Sequence, residues 1–452
     1  DAAFTVDELR LEDKTLNLQS VSSFTVAEQL VLDNTNEQIT WDNTSLALSG
    51  GLKLDTNGEL TWKNPGNLAI GNITLNGGVL KIGETTGSQT FGLTSNLTLL
   101  ADSEIGSILN YSGAEVSLGK ILTLGGSGQL QNTNDLNLGA GGKLNLSEIS
   151  VAKVITSANS LGLEIEGDST ISNFVVGNIT PVSIASGKSL SGSIAVNAGG
   201  KLEFSNTGTL ASAISMNGGI LRANESLTIS GVVTQTGNAT ITVISGKTIT
   251  FGNGSISTES HELRLLGAGT VAFPANAYGI VVNNAGGLLK LNGTGTLGAA
   301  QVTAVSNTGK GLSVNASSTI SNLKVAADTE LNVAASKTLS GAVEVAENKT
   351  LTLSGTGTLG SALKLEGTLE AGASLKVTGL ISVADNATVS IPDANTTLTY
   401  SGGNLTVDAY TFSIGGSGTF GNVADSPIVL AVEDSVLDLT GNGIISGPVR
   451  LE

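Results

Sequence analysis

SIASGKSLSGSIAV (residues 183–196) is written a second time as NVAASKTLSGAVEV (332–345). TGTLASAISMNGG (207–219) then returns as TGTLGSALKLEGT (356–368). Lys188 maps onto Lys337 and Leu210 onto Leu359, so both pairs share one offset of 149 residues. After a slip of one residue, SLTISG (226–231) matches SLKVTG (374–379), and NATITV (238–243) matches NATVSI (386–391). A more diverged copy lies upstream, where SNLTLL (95–100) parallels GNATIT (237–242) and LTLGGSGQL (122–130) parallels LRLLGAGTV (263–271). The chain is a tandem array, and the array decides the fold.

A shorter period runs inside the first copy. NEQITWDN (36–43) aligns with NGELTWKN (57–64), which places Trp62 one step of 21 below Trp41. GGVLKIGE (77–84) then sets Leu80 and Ile82 under Leu60 and Trp62 with a step of 20. A unit of that length is too short for a helix pair and is built from alternating apolar residues. This predicts an all-β parallel β-helix, a β-solenoid with about 20–21 residues per rung and about seven rungs per 149-residue block.

Each rung should supply about three short strands with alternate residues pointing inward. In KTLTLSGTGTLG (349–360), Leu351, Leu353 and Leu359 point in while Thr350, Thr352 and Thr358 point out. Leu202, Leu210, Leu227 and Ile229 take the same inward role in the preceding block. Gly192, Gly208, Gly267, Gly341, Gly357 and Gly416 are expected at turns, where a positive φ excludes most side chains. The blocks read as 29–168 (diverged), 169–317 and 318–452 (incomplete). Residues 1–28 read as a cap or as the remnant of a preceding repeat. Val26–Leu32 is the one stretch worth testing as helix. The array stops mid-block at GPVRLE (447–452), where an apolar rung needs further chain or a neighbouring molecule to cover it.

Composition supports strands and turns over any other architecture. Of 452 residues, 60 are Gly and 6 are Pro, aromatics are 3%, and 40% are hydrophobic, which is too apolar for a disordered chain. The formal charge is −17, with acids scattered singly, so the basic stripe that a nucleic-acid partner requires is missing. Scattered negative charge instead keeps strand-rich copies apart. Zero Cys removes disulfides and thiol chemistry, and it suits a protein exported unfolded. No apolar run reaches the roughly 20 residues of a membrane helix. The chain starts at Asp1, as a cleaved precursor or a cut chain would.

The candidates for chemistry are few. Glu164 with Glu166 in LEIEGD (163–168), with Asp168 beside them, is the best carboxylate pair; Glu344 with Glu347 and Glu433 with Asp434 follow. Outward alternation on a strand accounts for them without catalysis. The single histidine, His261, aligns with Tyr410 one block later and near Lys120 one block earlier, so its slot accepts unrelated side chains. GGSGQL (125–130) and GGSGTF (415–420) have the glycines of calcium-binding nonapeptides, but Gln129 and Phe420 stand where acids should recur. GAGGKL and GTGTLG lack the ending and helix of a phosphate loop. No catalytic, metal or cofactor residue is assigned. About fifteen Asn-x-Ser/Thr triplets, including those of Asn72, Asn96, Asn238, Asn386 and Asn404, are read as corner ladders of stacked Asn.

At KTLTLSGTGTLG, LKLNGTGTLG and ILTLGGSGQL the chain resembles the passenger regions of bacterial autotransporters and filamentous-haemagglutinin-type adhesins. That resemblance implies a right-handed parallel β-helix secreted to the bacterial cell surface. It also implies a receptor that is a host or matrix glycan or protein, and homotypic end-to-end or lateral self-association. It carries no functional residues over. The expected function is a non-enzymatic extracellular rod, acting as an adhesin stalk or a filament or sheath subunit. The alternative, a carbohydrate-binding or polysaccharide-degrading β-helix, would need an aromatic and carboxylate face, which Trp41, Trp62 and Asp42 suggest faintly. Ice binding through outward Thr ladders would need a more regular TxT spacing.

Overall fold

Alternating apolar residues between Gly, Asn and Ser corners produce strands of two to nine residues and, among the described residues, no helix. The computed structural model describes all residues except 1, 12, 18–20, 35–36, 41–44, 63–67, 83–90, 94–95, 107–108, 112–115, 126–128, 131–133, 275–278, 284–285 and 303–310. It contains two compact units, Asp1–Ser215 and Met216–Glu452. Each is by itself a parallel β-solenoid.

In the first unit, Ala2–Val6, Leu9–Arg10 and Thr15–Asn17 already form a coil. They pair in parallel with Val21–Val26, Leu30–Leu32 and Gln38–Thr40 of the next coil. Residues 1–28 thus supply strands of the same kind as the array. The stretch tested as a helix is instead the end of one strand, a bend, and the start of another. Its Leu30 and Leu32 are fully buried because they stack on Leu52 and Leu54 above. Burial of a continuous column outweighs any local helical preference in VAEQL. The step of 20 residues holds, with Leu60 opposite Leu80 and Trp62 opposite Ile82. Trp41 and Asp42 lie outside the described residues.

In the second unit, Leu263, Leu289 and Leu312 stack in succession, as do Leu312 and Leu331 and then Leu351 and Leu369. The step is 26 residues from Leu263 to Leu289 and 18 from Leu351 to Leu369. Coil length therefore varies on both sides of the expected 20–21. Much of the difference is taken up at corners, and one-residue bulges such as those between Ile171 and Phe174 and between Ile320 and Leu323 absorb more of it at paired outward residues, which leaves the inward faces in place.

One strand can serve two faces. Thr338–Val345 pairs with Thr358–Leu359 along its first half and with Ala362–Leu365 along its second. Ser169–Val176 and Ser318–Val325 bend in the same way. In each, two consecutive outward residues (Ser172 and Asn173, Ser321 and Asn322) interrupt the alternation. These two strands lie 149 residues apart and have the same order of buried and exposed positions. So do Ala239–Val243 and Ala387–Ile391, at the slipped offset of 148.

The inward columns are Leu, Val and Ile, most of them fully buried. Burying one such side chain contributes roughly 1.5–3 kcal/mol, but only when coils above and below enclose it. The coil Val436–Gly441, Ile444–Ser446, Val449–Leu451 leaves Leu439, Ile444 and Leu451 60%, 60% and 80% exposed.

Candidate functional surface

Inward positions are mostly apolar, and most charged side chains stand at outward positions and corners. The inward residues singled out from sequence, Leu202, Leu210, Leu227, Ile229, Leu351, Leu353 and Leu359, are all buried. Of the six glycines, Gly192, Gly341, Gly267 and Gly416 have φ of 110°, 107°, 90° and 106°. Gly208 and Gly357 are not left-handed, so a positive φ is not their reason. A Cβ on Gly208 would overlap a methyl of Ile184, and one on Gly357 would crowd the Ala334 carbonyl and Val333. They are glycine because neighbouring coils touch there.

Three of the candidate carboxylates, Glu164, Asp168 and Glu344, join neighbouring coils. Glu164 forms an ion pair with Lys143 of the preceding coil. Asp168 accepts hydrogen bonds from Ser189 N (2.8 Å) and Ser189 Oγ (2.9 Å) of the next coil. Glu166 lies beyond the strand end Ile165 and is exposed. The trio LEIEGD therefore does not converge on one point. Glu344 lies 3.8 Å from both Lys324 and Lys364, bridging successive coils, while Glu347 accepts from Asn348 Nδ2 at 3.1 Å. Glu433 and Asp434 are exposed in a turn. His261 opens the strand Glu262–Gly267, half-exposed, with its backbone N–H donated to Thr258 O (2.8 Å).

Two carboxylates are tuned by this lattice. Burial raises the Glu262 pKa, but hydrogen bonds from Lys290 and Arg264 and their charges outweigh it and hold it below the ordinary value. The contacts are 2.5 Å to Lys290 Nζ and 2.7 Å to Arg264 Nη2. Asp55 behaves alike: burial opposes ionisation, and Lys53 (2.7 Å) and Asn76 (2.6 Å) overcome it. Among the described residues, no three His, Asp or Glu side chains are grouped to hold a metal ion. Gly126 and Gly128 lie outside the described residues, and Phe420 of the second glycine motif is fully buried.

Sequence reading missed a recurring corner device. A side-chain oxygen just before one strand accepts the backbone N–H at the same corner of the following coil. Asp102 serves Ile121, Ser226 serves Thr248, Ser317 serves Thr338, Asp328 serves Thr350 and Ser374 serves Thr397, all at 2.8–3.2 Å. Three triplet asparagines do the same: Asn72 for Asn96 N, Asn238 for Glu262 N and Asn386 for Thr411 N. Asn404 is exposed before Leu405–Val407. A true side-chain ladder joins Asn315 Nδ2 to Asn292 Oδ1 at 3.0 Å. The sequence signal was present, an Asn, Asp or Ser immediately before each apolar alternation, but its partner lies about one coil away.

Glu37 was missed as well. It is fully buried and accepts backbone N–H bonds from Asp13 (3.3 Å), Asp33 (2.6 Å) and Asn34 (3.2 Å).

No family model matches this chain, and neither the curated proteins nor the solved structures include a significant match. No helix among the described residues is long and apolar enough to cross a membrane.

Proposed function

We propose that this chain is a non-enzymatic structural segment of an extracellular bacterial surface protein, acting as an adhesin stalk or a self-assembling filament subunit. One observation carries the reading. The two similar blocks keep their inward positions apolar at the 149-residue offset, while many outward positions change in size and charge. Ile171, Val176 and Gly192 recur as Ile320, Val325 and Gly341, but outward Val175 and Ala195 become Lys324 and Glu344. A scaffold selected for stacking needs only its inward positions and corners to recur, and tolerates change such as this on its outer faces. The autotransporter-like and haemagglutinin-like location rests on the rung pattern of the sequence.

Antibodies raised against the purified chain should label intact cells of the source bacterium. Labelling only after lysis would overturn the surface assignment. Release of reducing ends from any polysaccharide in a panel would overturn the non-enzymatic one.

A further inference from the structure

Two seams in this chain have the same shape. Ser169–Val176 pairs with Ser189–Asn197 through a register that shifts between Ile171 and Phe174. Ser318–Val325 pairs with Thr338–Val345 through a register that shifts between Ile320 and Leu323. The shift is accommodated by Gly192 in the first seam and Gly341 in the second, at φ of 110° and 107°. In both, an added Cβ would overlap the carbonyl oxygen of the bulged isoleucine, Ile171 or Ile320.

The partners also match one for one. Thr170 faces Ser191 as Thr319 faces Ser340; Phe174 faces Ile194 as Leu323 faces Val343; Val176 faces Val196 as Val325 faces Val345. The corner caps correspond too, Asp168 on Ser189 N and Ser317 on Thr338 N. After each seam the chain enters the next face, at Ile179–Ile184 or Thr329–Val333.

We propose that two copies of this chain exchange their downstream coils at this seam as they fold. Residues 1–176 of one copy are continued by 329–452 of the other, and residues 1–325 of the other by 179–452 of the first. Every coil at the seam then remains covered, and each bulge meets a glycine of the required hand. Exchange separates Lys324 from Glu344, an ion pair of 3.8 Å in the unexchanged seam; Lys324 then faces Ala195, and Glu344 faces Val175. The partner is a second copy of this chain because the seam requires a bulge, a left-handed glycine and alternating volumes at set positions. Exchange requires opened coils, so it belongs to folding chains and not to folded ones. It bears on the filament branch of the proposed function but stands without it, since cell-surface labelling can fail while exchange occurs, and the reverse.

The chain has no cysteine, so single Thr170→Cys and Ser340→Cys variants report the seam cleanly. Both sites are outward and half-exposed, so each variant should fold, as circular dichroism would verify. The two are unfolded, mixed, refolded together and treated with a short bismaleimide. A Thr319→Cys/Ser340→Cys chain calibrates linking across one native seam. We expect a covalent heterodimer after co-refolding, and none when each variant is folded before mixing. The proposal is overturned if co-refolding gives no heterodimer. It is equally overturned if the yield only equals that of the off-register pair Thr170→Cys with Thr250→Cys, or if folded copies link as readily as refolded ones.

Discussion

Left-handed corners show how single residues specify this fold. Gly187 and Gly199 have φ of 73° and 83°, and their counterparts 149 residues later are Ser336 and Asn348, at 62° and 58°. The corner shape persists although the residue bears a Cβ, at a cost of roughly 1–2 kcal/mol for most side chains. Ser336→Gly should raise the melting temperature, by an amount corresponding to about 0.5–1 kcal/mol after the extra freedom of Gly in the unfolded chain is subtracted. Gly341→Ala should lower stability by more than about 2 kcal/mol, because strain adds to overlap with the Ile320 carbonyl. Tyr400 is the largest fully buried side chain among the described residues; burial pushes its phenol pKa up, while the hydrogen bond from Ile381 N (3.3 Å) opposes that. Removing that acceptor with Tyr400→Phe should cost about 1 kcal/mol in thermal unfolding. Repeated LSG triplets made Gly192 and Gly341 legible from sequence. Gly208 and Gly357 were found for the wrong reason, because the methyl groups and carbonyls they avoid belong to another coil.

Strands and corners carry the electrostatics. Glu262 is held below its ordinary pKa, so its contribution is present above the unfolded value near 4.5 and is lost as pH falls through the lower folded value. Glu262→Gln should therefore cost about 1 kcal/mol or less at neutral pH and nothing well below the carboxylate range, measured as the difference in melting temperature at the two pH values. Lys364 has the opposite sign. Its bond to Glu366 raises its pKa, burial lowers it and Glu344 adds to the rise, so its contribution fades only as pH climbs past the ordinary lysine range. At a core position, Leu353→Asp would place an unpaired carboxylate in a site only 2% exposed and should destabilise its rungs by about 3 kcal/mol or more. An unchanged melting curve would contradict the inward register of Thr350–Leu353. Alternation alone was enough to place such strands. The caps from Asp168, Asp328 and Asn238 were not legible, since each oxygen serves an N–H between 21 and 24 residues onward and coil length varies. Glu37 was not legible either, because nothing local in NEQITWDN reveals that three backbone donors converge on it.

Across the molecule, the repeat is of coils, and the differences in length between the two similar blocks fall at turns. The one-residue slip falls where Asn217–Gly219 corresponds to Glu366–Gly367, between strands that keep their inward faces. It is recovered where Ile244–Lys247 corresponds to Pro392–Thr396, again in a turn. This is why a 149-residue period was visible without an alignment while individual steps wander between 18 and 26. If the block is the true unit, a block can be removed whole. The most direct test compares two deletions by far-ultraviolet circular dichroism and thermal unfolding: residues 169–317, which joins Asp168 to Ser318 in register, and residues 169–307, which shifts the faces by about half a coil. The first should keep a β spectrum and melt near the parent protein, while the second should lose cooperative melting. Equal behaviour of the two deletions, whether both fold or both fail, would contradict the 149-residue coil register on which this account rests.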